Sequence, residues 1–423
     1  MSKGADPWSA PFGVPGRRVA AAGACGYARR VEEPLIERMR VYGETIFAEM
    51  TRLAMETGSV NLGQGFPDTD GPRSLLEGAS RHILEGVNQY PPGPGRPELR
   101  QAVSRYRARH YGIELDPDSE VYITVGATAG IAAAMLALVE HGDEVIVFEP
   151  MYDSYAAMIT LAGGVRRSVT LRPDAESGRF TFDPAELRAA VGPRTRMVLV
   201  NSPHNPTGTV FTADELEEIA QVCREHDLIA FTDEVYEFLA FDGKPHVPLA
   251  TLPGMRERTV SVSSVGKMFA VTGWKTGWVM GPEPLVSAVR TVNQFLTFSA
   301  NGALQLAVAD AIDNEWEWVA AQRAALQGKR DRLAAGLAAT GFDVNVSEGT
   351  YFVMADIRPL GFDSGIDVAR ALPGGAGVAA VPAQVFYDHQ EEGAHLLRFA
   401  FCKKDEVLDE AVSRLTGWHT RGA

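Results

Sequence analysis

Between residues 120 and 300, short β-branched runs alternate with stretches of helical periodicity, and this alternation constrains the fold more than any other feature. Strand character falls at 121–125, 144–148, 165–171, 196–201, 228–232 and 259–263, and the intervening 127–141, 154–162, 184–191 and 213–226 suit helices. Strands separated by helices build a mainly parallel sheet covered on both faces, an α/β architecture. After Pro284 the pattern changes to long helical stretches at 285–295 and 304–339. Strand-like pieces at 342–346, 351–355, 377–381 and 396–401 and a closing helix at 405–415 then suit a smaller α+β domain. A chain of 423 residues is long enough for two such domains. The expected division is a poorly ordered extension over 1–35, the first part of the small domain over 36–75, the large domain over 76–300 and the rest of the small domain over 301–423. The Pro/Gly cluster at 91–97 reads as a shaped loop.

Charge and cysteine content narrow the function classes. A net charge of -14 argues against a general nucleic-acid or anionic-membrane surface, while leaving room for a local anion site. The three cysteines, Cys25, Cys223 and Cys402, are scattered without C-x-x-C spacing, so neither a disulfide framework nor a metal site is indicated, and a reducing cytoplasm is the default location. Uncharged runs such as 131–139 fall short of the ~20 apolar residues a membrane span needs. The apolar stretch 19–25 lacks Leu, Ile and Phe and is not read as a signal peptide.

The most informative segment runs Ser263-Ser264-Val265-Gly266-Lys267 and on through Gly273-Trp274-Lys275. A lysine just after a strand, with hydroxyls before it and a second lysine beyond, suits an amine that reaches a carbonyl while its neighbours hold a phosphate. On their own the two lysines also fit a solvated loop. Asn205-Pro206-Thr207-Gly208 and Asp233-Glu234-Val235-Tyr236 follow successive strands, where open α/β sheets bind ligands. Each also has a plain reading, as a turn and as a helix cap.

Together these motifs resemble the fold-type I, class I/II aminotransferases, over about residues 40–418. Asn61-Leu62-Gly63-Gln64-Gly65-Phe66-Pro67-Asp68 and Asn88-Gln89-Tyr90-Pro91-Pro92-Gly93 are similar to the branch of kynurenine, methionine and actinobacterial succinyldiaminopimelate aminotransferases. The resemblance implies pyridoxal 5'-phosphate as cofactor, held as a Schiff base by Lys267, and transfer of an amino group from an L-amino acid to a 2-oxo acid. It implies that Asp233 faces the pyridine nitrogen, that Asn205 and Tyr236 bond the ring's phenolic oxygen, and that Tyr152 stacks on the ring. Gly126, Ala127 and Thr128, at the start of a helix, would hold the phosphate with Ser264 and Lys275. Arg398, between apolar residues in a strand, would pair with the substrate carboxylate, helped by Asn205 and Gly65. Phe298, Ser299 and Tyr351 match pocket positions alongside Phe66. Tyr90 matches a residue that reaches the phosphate of the neighbouring subunit, which implies a homodimer with sites at the subunit interface.

Some positions depart from the family pattern. Ala129-Gly130 stands where Glu-Ala is common, no proline precedes Gln305, and Ser299 replaces a histidine of kynurenine-type members. An altered pocket wall keeps a second reading open: elimination, replacement or carbon–carbon bond formation at Cβ or Cγ on the same cofactor scaffold. A ligand-sensing regulator domain is disfavoured, because the segment before residue 40 is too short for a helix-turn-helix and linker and the lysine is retained. No serine or cysteine elbow accompanies the nine histidines, which weighs against a hydrolase.

Overall fold

A computed structural model describes residues 35–419, so all but the last residue of the expected N-terminal extension, Cys25 included, lies outside the described residues. Seven strands form the central sheet: β1 (Val121–Thr124), β2 (Glu144–Glu149), β3 (Val165–Thr170), β4 (Thr195–Asn201), β5 (Ile229–Asp233), β6 (Thr259–Ser264) and β7 (Gly277–Met280). Their order is β1-β7-β6-β5-β4-β2-β3. All adjacent pairs are parallel except those of β7, which runs antiparallel to both β1 and β6. The expected strands and helices are present with ends shifted by a few residues. Most of these strands are buried throughout, as expected for a sheet covered on both faces. Local chemistry sets the helix starts: Thr212 and Glu215 cap each other ahead of helix Ala213–Glu225, and Asp183 caps helix Pro184–Ala189 with Pro184 in its first turn.

Strand β7 was not expected, because four residues are too few to show a period. Helices Arg73–Leu84 and Pro97–Tyr111 were also not anticipated. The long stretch 304–339 is two helices, Gly302–Asn314 and Trp316–Ala339. The chain turns at Glu315 and delivers Trp316 into an aromatic cluster, with ring centroids 4.1 Å from His110 and 5.0 Å from Phe238.

The break also separates two packing environments. Ala307, Val308, Ala311 and Ile312 pack with Leu75, Leu99 and Ile123, so helix Gly302–Asn314 is part of the large domain's core. The second helix spans both units, with Val319 in the large-domain core and Leu326, Leu333 and Leu337 packed with Phe342, Phe399 and Leu408. The small domain carries an antiparallel sheet ordered Asp343–Val344, Phe352–Asp356, Leu396–Ala400, Val381–Pro382. The expected strand at 377–381 is two short ones, since Val378–Ala379 pairs instead with Val60–Asn61 and ties the N-terminal segment to this domain. Among the described residues no helix is long and apolar enough to cross a membrane, no cluster of side chains is arranged to hold a metal ion, and Cys223 and Cys402 are buried free thiols.

Candidate active site

Strands β4, β5 and β6 end side by side, with Asn201 in register with Asp233 and Asp233 with Val262. Their carboxyl ends therefore bring Asn201, Asp233 and Ser264 to one edge of the sheet, where the helical turn Val265–Met268 presents Lys267. The Lys267 Nζ donates to the Gly65 carbonyl at 3.2 Å and lies 5.0 Å and 5.4 Å from the ring centres of Tyr351 and Tyr236. Burial, assisted by the nearby charges of Arg398 and Lys275, lowers its pKa from 10.5 to about 8, against the opposing pull of Asp233 and Cys402. A neutral amine is thus accessible near physiological pH.

Asp233 is buried, and burial pushes its pKa up to about 6. Two donors oppose that shift: the Tyr155 hydroxyl at 2.7 Å and the Val235 amide at 3.2 Å. A cation arriving in this cavity would complete the ionisation that burial resists.

Helix Gly126–Leu138 begins without a side-chain cap, so its first amides are free for a ligand, and the dipole there favours an anion. Lys275, in the left-handed conformation with φ 50°, brings its Nζ to 3.4 Å from Thr128 Oγ1. A Cβ on Gly277 would lie 2.7 Å from both Ala127 N and Gly126 C, so only glycine lets β7 pass this close to the start of the helix.

At the opposite end, Arg398 donates to Gly63 O at 3.0 Å and to Asn205 Oδ1 at 3.3 Å, while its Nε is buried with no partner. The guanidinium sits 4.0 Å from the ring centre of Phe352 and 5.0 Å from those of Phe47 and Phe386. Burial lowers its pKa to about 10, which leaves it cationic at neutral pH, and no carboxylate among the described residues forms an ion pair with it. A buried, under-bonded cation of this kind is a receptor for an anionic group.

One cavity of about 310 Å³ joins these features, large enough for a cofactor ring and a small substrate. Of the residues singled out in the sequence, Gly65, Phe66, Gly126, Ala127, Thr128, Tyr152, Asn205, Asp233, Tyr236, Ser264, Lys267, Lys275 and Arg398 line it. Tyr351 does not: its hydroxyl donates to the Lys267 carbonyl at 3.3 Å, so it supports the lysine from behind. Tyr90, Phe298 and Ser299 also lie outside this cavity; Tyr90 and Phe298 are exposed and meet edge to face at 5.2 Å. Residues given no role from the sequence include Phe47, Gln64, Asn201 and Tyr155, of which Gln64 stood in a quoted motif and Asn201 at the end of an expected strand. Anion donors at a helix start, a buried carboxylate, a depressed lysine and a free guanidinium in a single cavity fit a phosphorylated pyridine aldehyde together with an amino acid.

The family model for aminotransferase class I and II matches residues 57–415. The chain belongs to this family. It is 51% identical over 389 residues to a probable N-succinyldiaminopimelate aminotransferase of Mycobacterium tuberculosis, covering 90% of this chain and 98% of that protein. The methionine aminotransferase of Escherichia coli is 39% identical over 388 residues, again across 90% of this chain and 98% of the relative. The solved structure of N-succinyldiaminopimelate aminotransferase from Mycobacterium tuberculosis superposes with a TM-score of 0.89 at 51% identity, covering 91% of this chain and all of the other. The protein is a fold-type I, pyridoxal 5'-phosphate-dependent aminotransferase, and the elimination or bond-forming alternative is not favoured.

Proposed function

We propose that this aminotransferase works through Lys267, Asp233 and Arg398 on an L-amino acid with a long side chain and a 2-oxo acid acceptor. The supporting observation is the placement of an amine, a carboxylate and an unpaired guanidinium at three stations of one cavity. Bound pyridoxal phosphate supplies an aldehyde with which amines condense and a ring that takes up the electrons released when a bond at Cα breaks.

In this reading the chain's residues divide the work. The helix start at Gly126, Ala127 and Thr128, with Ser264 and Lys275, binds the phosphate. Asp233 would keep the ring nitrogen protonated, and Tyr152, Asn205 and Tyr236 would hold the ring. Arg398 and Asn205 would clamp the α-carboxylate and so orient Cα for loss of its proton. Lys267 would hold the cofactor, and its Nζ, with a pKa lowered to about 8, would take up and return the proton at the substrate Cα. The Gly65 carbonyl, which accepts from Lys267 Nζ at 3.2 Å, keeps that lysine within reach.

In a homodimer, Tyr90 of the partner subunit would help hold the phosphate, and Phe298 and Ser299 would form part of the opposite pocket wall. Support comes from the exposed apolar side chains Leu84, Tyr90, Phe295 and Phe298, which a second copy would cover. The remaining wall of Phe47, Gln64 and Phe66 combines two rings with one amide and suits a long side chain with a polar end. Together with the 51% identity, this favours an N-succinyldiaminopimelate-type substrate. Adding a panel of amino acids to the holoenzyme, including N-succinyldiaminopimelate, methionine and kynurenine, should bleach the cofactor's visible absorption fastest with the first. A panel in which short amino acids bleach it equally fast would contradict the substrate assignment.

A further inference from the structure

Tyr155 takes no part in the roles above, yet among the described residues its hydroxyl is the only side-chain group hydrogen-bonded to the Asp233 carboxylate. It stands on helix Asp153–Ala162, is 2% exposed, and donates to Oδ2 at 2.7 Å. Its ring meets that of Tyr152 edge-on, with centroids 5.5 Å apart and planes at 90°. The same side chain therefore touches both the carboxylate and the aromatic wall of the cavity.

The charged and titratable groups around Asp233 come from several elements: Tyr152 and Tyr155 on this helix side, Glu234 and Tyr236 beyond β5, and Lys267 after β6. Glu234 is turned away, its oxygens committed to Arg107, Thr232 and Ser261. We propose that Tyr155 is a positioning residue that keeps Asp233 ionised and aimed into the cavity, so that it sets the acid limit of cofactor retention and turnover. This rests on the reading of Asp233 as the partner of the ring nitrogen.

The chemistry is one-directional. Burial and the neighbouring carboxylate hold the Tyr155 phenol well above its ordinary pKa, so it stays O–H and only donates toward Asp233. A donor to a carboxylate stabilises the charged form, and in a buried site that stabilisation opposes desolvation directly. Without it, a proton would settle on Asp233 at higher pH and the charge facing the ring nitrogen would be lost.

Tyr155→Phe removes the hydroxyl and keeps the ring against Tyr152. Titration of apoenzyme with pyridoxal 5'-phosphate across pH, alongside the pH profile of kcat/KM, tests the proposal, with Asp233→Asn as companion variant. The expected result is an acid limb displaced upward by about one pH unit in both measurements, with affinity converging on wild type at alkaline pH. Weakening by the same factor at every pH, or an unmoved limb, while Asp233→Asn binds cofactor poorly throughout, would overturn the role of Tyr155 and leave that of Asp233 standing. An Asp233→Asn variant that binds cofactor and turns over like wild type would instead overturn the Asp233 reading, and this proposal with it.

Discussion

Replacing Arg398 by alanine isolates the substrate clamp from the cofactor site. Among the described residues the guanidinium makes two bonds, to Gly63 O and Asn205 Oδ1, and its Nε is buried without a partner. A substrate carboxylate would therefore gain charge-assisted bonds in a site walled by Phe47, Phe352 and Phe386, where water cannot substitute for them. Truncating one side of such a buried pair costs about 2–5 kcal/mol. Taking about 3 kcal/mol, kcat/KM should fall on the order of a hundredfold, at 1.36 kcal/mol per factor of ten. The carboxylate is held before and during bond breaking alike, so most of the loss should appear in KM. Because no carboxylate among the described residues is left unpaired by the change, the variant should fold and take up cofactor normally, which absorbance at equal protein concentration will show. Steady-state kinetics that return kcat/KM within about threefold of wild type would remove Arg398 from the clamp.

Two other changes probe the cofactor end. Gly277→Ala should weaken pyridoxal 5'-phosphate binding to the apoenzyme more than about tenfold, because its new Cβ meets backbone of Gly126 and Ala127 that must shift; unchanged affinity by titration would refute the cradle. Lys267→Met should stabilise the apoenzyme at neutral pH. A lysine whose folded pKa of about 8 lies below its ordinary 10.5 binds fewer protons folded than unfolded between those values. Its penalty, at most about 3 kcal/mol, is thus fully present below pH 8 and fades as pH rises toward 10.5. Denaturant unfolding of the two apoproteins should show a gap that narrows with rising pH, and a gap independent of pH would count against the assigned burial.

The sheet and most of the site were readable in the sequence because their signals are local. Strand–helix alternation carries the parallel sheet, and Asp233, Ser264 and Lys267 fall in short motifs at the ends of consecutive strands, where chain order and spatial order coincide. Tyr155 and Phe47 left no such trace: each is an aromatic on a helix, indistinguishable from core until tertiary packing sets one on Asp233 and the other over Arg398. Tyr351, expected along the pocket, has its hydroxyl on the Lys267 carbonyl, a contact no local pattern signals. The break at Glu315 was hidden because both flanking segments favour helix, and only the pull of Trp316 into its aromatic cluster separates them.

Borohydride reduction of the holoenzyme followed by peptide mapping bears most directly on the account. The phosphopyridoxyl group should be recovered on Lys267 alone. Recovery on Lys275, or on no lysine of a coloured and active protein, would contradict the arrangement described for this cavity.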